Sequence, residues 1–194
     1  TIPSELELES ISSITLCETW HEDSDSVCIR RLKSEGLSVL ECARKIDPKS
    51  DRNHTNYVNH GGVAIIARSG VRLVRLQLAT VFTKFEYICA RASVMSNSYI
   101  VVVIYRPGSK EVCTMFHKEF GLLLEYLTSF QNPVLITGDI NIHIERQSDL
   151  HTIQLQSTLS SFGLVQHVHQ PTHKMGGTID IIVTRSADVV SQVN

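Results

Sequence analysis

Several polar side chains of this chain stand at the ends of short apolar runs, or interrupt one. Their types suit chemistry on a phosphate ester. Asp139 and Asn141 follow the run Val134–Thr137 in the tetrapeptide Gly138-Asp139-Ile140-Asn141. A carboxylate can take a proton from water or bind a metal, and a neighbouring amide can hydrogen-bond a water or a phosphate oxygen. If the strand stays extended, residues two apart share a face, so Asp139 and Asn141 are expected to point the same way. Asp and Asn are also ordinary turn residues after a strand, so the tetrapeptide alone leaves both readings open. Glu18 lies in Cys17-Glu18-Thr19-Trp20 at the end of the run Ile11–Leu16, and Tyr105 ends Ile100–Ile104. Thr172 lies in Gln170-Pro171-Thr172-His173, and Asp180 interrupts Thr178–Thr184. Strand tips are where α/β folds commonly place reactive groups.

Each of these residues also has a plain structural reading. Glu18 alone reads as a solvated carboxylate after a strand, and Tyr105 as a tyrosine closing the core. Asp180, between Ile179 and Ile181, needs a partner if it is buried. Backbone donors would serve as well as a catalytic group.

The order in which the segments occur carries more than any one of them. Glu18-Thr19-Trp20 comes first, then Gly61-Gly62-Val63-Ala64-Ile65, Tyr105-Arg106-Pro107, Gly138-Asp139-Ile140-Asn141 and Thr178-Ile179-Asp180. This succession, from about Ser13 to Arg185, resembles the endonuclease/exonuclease/phosphatase superfamily. It looks most like the endonuclease domain of non-LTR (LINE-type) retrotransposons. The resemblance implies an α/β fold in which two mixed β-sheets lie face to face with helices outside, a four-layer sandwich. It implies magnesium or manganese, with Glu18 as the metal carboxylate. Asp139 would be general base or water-orienting group, Asn141 its aid at the phosphate, and Tyr105 a phenol near the scissile phosphate. Asp180 would orient a histidine in a closing Ser-Asp-His motif, and Thr172 would support the site by hydrogen bonds. The turn from His173 to Gly177 corresponds to a hairpin that enters DNA, where Lys174 can meet a phosphate. Arg106, beside Tyr105, is a second phosphate-contact candidate.

The resemblance also implies an opening strand with an Asn, and the closing motif, neither of which occurs here. The expectation is therefore a single partial domain over 1–194, truncated at both ends, with impaired hydrolysis. The implied partners are DNA and a reverse-transcriptase domain downstream in the parent protein. Two readings stand beside the DNA endonuclease. One is a non-catalytic remnant that at most binds nucleic acid, and the other a phosphatase of the same superfamily.

Composition is compatible with these readings. The chain has 194 residues, 42% hydrophobic and 20% charged, within the range of globular domains. A formal net charge of −2 argues against a dedicated nucleic-acid binder, which is usually basic. A nuclease needs only local positive charge, because a metal offsets part of the phosphate charge. No apolar run is long enough to span a membrane. Five cysteines, an odd number with no Cys-x-x-Cys, suggest neither a disulfide framework nor a zinc ribbon. They fit a reducing, intracellular compartment, cytoplasm or nucleus. His167 and His169 are spaced as strand ligands for a metal, but no third ligand follows at suitable spacing.

The elements that must position the site are legible as patterns. Strands are expected over Ile11–Cys17, Leu37–Ala43, Gly61–Arg68, Val71–Leu78, Phe85–Val94, Tyr99–Tyr105, Val134–Asp139, Leu164–Val168 and Thr178–Thr184. Met95–Ser98 reads as a hairpin turn. Helices are expected over Ser26–Gly36, Lys110–Thr128 and Leu150–Phe162, and the tail of another over Ser4–Glu9. Lys45–His60 is polar and rich in turn residues, and reads as a long surface loop.

Overall fold

The structure is a computed structural model that describes residues 12–44, 61–109, 111–188 and 190. The expected Ser4–Glu9 helix and Lys45–His60 loop lie outside these residues. In chain order the elements are β1 (Ser13–Cys17), α1 (Val27–Ser34), β2 (Ser38–Cys42), β3 (Val63–Ala67), β4 (Val71–Arg75), β5 (Glu86–Val94) and β6 (Asn97–Tyr105). They continue with α2 (Thr114–Thr128), β7 (Val134–Asp139), α3 (Leu150–Ser161), β8 (Leu164–Gln166) and β9 (Asp180–Arg185).

Two sheets form. One is three-stranded, in the order β1-β3-β2, and the other six-stranded, β4-β5-β6-β7-β9-β8. The two expected sheets are present, and among the described residues both pairings of the smaller one are antiparallel. In the larger sheet β6 and β7 run parallel, joined through α2, and the other pairings are antiparallel.

Period-two alternation in the apolar strands builds the layers. Along β6, Ile100, Val102 and Ile104 face the helices, where they meet Phe116, Phe120, Leu123 and Leu127 of α2. Val101, Val103 and Tyr105 face the small sheet and pack with Val63, Ile65 and Ala67 of β3. Every residue of β3 is buried, as its run of apolar side chains requires. The small sheet lies over β4 to β7, and α1 packs beside β2 through Ile29. The layers thus run α1, small sheet, large sheet, and α2 with α3.

Helix α2 begins at Thr114 rather than near Lys110. Helix α3 is started by Asp149, whose carboxylate accepts from the His151 and Thr152 backbone N–H groups. The loop before β5 is fixed by the buried Glu119 of α2, which accepts from the Thr83 and Lys84 backbone N–H groups and the Thr83 hydroxyl, each at 2.8 Å. All five cysteines are free thiols. Burial pushes Cys17 and Cys89 up to about 12, so both stay protonated and inert at neutral pH.

Candidate active site

Strand register brings the reactive groups together. In the parallel pair, Tyr105 stands opposite Asp139, so β6 and β7 end at the same tip. Strand β9 runs the other way and starts there, with Asp180 opposite Asp139. Tyr105, Asp139 and Asp180 therefore form one row across three strands. Alternation turns Asp139 to the side of the small sheet, as it does Thr137, whose hydroxyl donates to Thr15 Oγ1 of β1 at 3.1 Å. Strand β1 crosses above and delivers Glu18. The Tyr105 phenol donates a hydrogen bond to Glu18 Oε1, linking the two sheets. Burial, and then this bond to a carboxylate, raise the Tyr105 pKa well above the ordinary value, so it acts as a neutral donor.

Glu18, Tyr105, Asp139 and Asn141 line one open cavity of about 510 Å³, together with Arg44, Gly108, His173 and Ile179 among others. Asp180 and Thr172 line an adjacent cavity of about 280 Å³ with His167, His169 and Ile182. The Thr172 hydroxyl accepts from the Ile179 and Asp180 backbone N–H groups at 3.1 and 3.2 Å, which fixes the start of β9.

Asn141 reaches the cavity by a route other than strand alternation. The chain leaves the extended conformation after Asp139, and Asn141 adopts φ 50°. Its backbone N–H donates to Asp139 Oδ1 at 2.8 Å, and its Nδ2 donates to the Arg106 carbonyl at 2.8 Å. The turn reading of these residues and the functional one thus describe the same geometry. Gly138 permits it. At φ 136°, a Cβ there would overlap the Ile104 carbonyl oxygen.

The segment carrying Glu18 is shaped as tightly. Glu18 and Trp20 both have φ 52°, a left-handed conformation uncommon for such residues. Their peptide is tied to β3 by Thr19 N–H to the Gly62 carbonyl at 3.3 Å and Trp20 N–H to the Gly61 carbonyl at 2.8 Å. The buried His21 ring bridges Thr19 Oγ1 at 2.6 Å and Glu41 Oε2 at 2.7 Å. Strain of this kind persists only where surrounding bonds hold it, and it clusters at functional sites.

The cations nominated from sequence do not face the cavity. Arg106 is buried, with its Nε donating to the Ile140 carbonyl at 2.6 Å, Nη2 to the Asn141 carbonyl at 2.7 Å and Nη1 to the Pro107 carbonyl at 3.2 Å. It holds the 140–141 turn. Lys174 is exposed in the His173–Gly177 turn and does not line the cavity. His167 is engaged by Thr184 Oγ1 at 2.8 Å. His143 pairs with Glu145 at 2.7 Å, away from the cavity lining. Arg44 takes the place next to Tyr105. No motif signalled it, but it follows the apolar segment 37–43 just as Glu18 and Tyr105 follow theirs.

Electrostatics at the tip are negative. Burial, then the nearby Asp180 and Glu18 carboxylates, push Asp139 up to about 6 despite its bond from Asn141. A divalent cation would relieve this crowding. Glu18 with Asp139 beside it fits a hard, oxygen-seeking ion such as magnesium, which keeps several waters and uses one or two carboxylates plus substrate phosphate. No group of three or more His, Cys, Asp or Glu suited to a metal occurs among the described residues.

Solved structures with a similar fold were found. The catalytic domain of human Nocturnin with bound sulfate superposes with a TM-score of 0.62 at 17% identity, over 94% of this chain and 72% of that one. The endonuclease domain of TRAS1, a telomere-specific non-LTR retrotransposon, gives 0.56 at 13% identity, over 77% and 65%. An endonuclease/exonuclease/phosphatase family protein from Leptotrichia buccalis gives 0.57 at 12% identity, over 93% and 78%. The chain has the endonuclease/exonuclease/phosphatase fold. No family model and no curated protein matches the sequence itself.

Proposed function

We propose that this chain hydrolyses phosphodiesters with a divalent cation, magnesium or manganese, and that its substrate is DNA, as for an endonuclease domain of the retrotransposon type. One observation carries the reading. Glu18, Tyr105, Asp139 and Asn141, from separate segments of the chain, surround a single open cavity at the tip of the sheets.

Each residue has a role the geometry permits. Glu18 holds the cation, which supplies charge neutralisation at the phosphoryl oxygens. Asp139 accepts a proton from the attacking water, and its raised pKa of about 6 makes it a better base than an ordinary carboxylate while leaving it ionised at neutral pH. Asn141, fixed by Asp139 and by the Arg106 carbonyl, presents its amide beside the phosphate. Tyr105 fixes Glu18 and keeps a neutral hydroxyl in the site. Asp180 and Thr172 shape the floor next to it. The seat of this work is a reducing, intracellular compartment, which the five free thiols favour. Among the described residues no helix is long and apolar enough to cross a membrane.

The test is nicking of supercoiled plasmid with magnesium, with and without Asp139→Ala. Magnesium-dependent nicking that Asp139→Ala abolishes is the expected result. No nicking, with phosphate release from a small ester, would instead identify a phosphatase. DNA binding with neither activity would identify a non-catalytic domain.

A further inference from the structure

We propose that Arg44 is the residue that binds the phosphate in this cavity, contacting a non-bridging oxygen of the anion. The proposal rests on the reading of the cavity as a phosphodiester site, and extends it to a residue that no motif indicated.

Arg44 is the only lysine or arginine among the described residues that line the cavity. A site walled by the carboxylates of Glu18 and Asp139 repels a phosphate unless a fixed cation, with any metal, offsets them. Arg44 is fixed. Its Nε donates to Glu86 Oε1, and the other oxygen of Glu86 accepts from the Gly62 backbone N–H at 2.6 Å. The guanidinium stands over the Tyr105 ring, 5.4 Å from its centroid. It occupies the space a side chain on residue 61 would need, which explains a glycine there. A planar guanidinium held by Glu86 and by Tyr105 is pre-organised to meet an oxyanion.

A second observation points the same way. Nη2 of Arg44 is buried and has no hydrogen-bond partner among the described residues. Leaving a charged donor unpaired is costly, and this one packs against Gly61 without open surface, so a phosphate meets it once the guanidinium turns toward the cavity. By contrast, Arg106 spends its guanidinium on backbone carbonyls. Glu86 thus positions Arg44, and Arg44 touches the substrate.

The probe is inorganic phosphate, titrated without metal and followed by amide chemical shifts at Gly62, Gly108 and Asn141. Arg44→Gln should weaken phosphate binding by about ten- to a hundredfold, the size of one charge-assisted contact. Lys118→Gln, which removes an exposed charge on α2, should leave it within about twofold. Because Arg44→Gln strands Glu86, the double variant Arg44→Gln/Glu86→Gln removes the pair together and guards against misfolding. Near-ultraviolet circular dichroism reports whether each variant is folded. Arg44→Lys keeps charge without the fork and should recover only part of the affinity. A folded Arg44 variant that binds phosphate like the parent overturns the proposal. Arg44-dependent phosphate binding without any DNA nicking would uphold it while refuting the nuclease reading.

Discussion

Asp139 and Asp180 stand directly opposite each other in the antiparallel register of β7 and β9. Like charges at such a position destabilise a sheet. Burial first, and then Asp180 and the third carboxylate, Glu18, push the Asp139 pKa up to about 6 from an ordinary value of 3.8.

That shift sets a pH window. The folded pKa lies above the unfolded one, so the stability tied to Asp139 is present in full below about pH 4 and is lost as pH rises through about 6. Asp139→Asn, uncharged and nearly isosteric, should not lose it. At pH 8 with a chelator the variant should therefore be more stable than the parent, on the order of 1 kcal/mol once solvent screening of this half-buried group is discounted. That corresponds to about 2–4 °C in Tm. The advantage should vanish at pH 4. Calorimetric melts at both pH values check it, and a gain that persists unchanged at pH 4 would contradict it.

Tyr105→Phe removes the phenol that donates to Glu18 and keeps the ring that packs between the sheets. Thermal stability should fall by no more than about 1 kcal/mol. Nicking should fall on the order of 10²-fold, the usual cost of one positioned donor. Equal activity in a folded variant would remove Tyr105 from the site.

Glu18→Gln should weaken magnesium binding by at least about 10- to 100-fold, the loss seen when even an outer partner of a metal ligand is removed. Calorimetry with magnesium and manganese measures it. Tight zinc binding that depends on His167 and His169 would point instead to the neighbouring cavity.

Gly138→Ala introduces a Cβ into the Ile104 carbonyl at a φ of 136°. Backbone on both sides leaves no flexible group to give way. Destabilisation of at least about 2–3 kcal/mol is expected, measured by urea unfolding. Gly163→Ala makes the comparison, since φ is 65° there and no atom lies within 4 Å of the added carbon. It should cost clearly less.

The sequence by itself determined the strands, the helices and the identity of the tip residues. Apolar alternation in β5, the almost wholly apolar run of β6 and helical spacing in α2 are local signals. A polar residue that ends an apolar run is readable without knowing its neighbours, and this marked Glu18, Tyr105 and Asp139. Only the tertiary structure decided which of them meet. Parallel pairing of β6 with β7 puts Tyr105 beside Asp139, and β1 crossing from the other sheet brings Glu18 to the phenol. Such contacts depend on register and sheet order, which no local pattern encodes. The structure also separates the cations. Arg106 follows a strand as Arg44 does, yet one is consumed by backbone carbonyls and the other lines the cavity. A long side chain goes where its nearest unpaired acceptors are, and those acceptors exist only once the chain has folded.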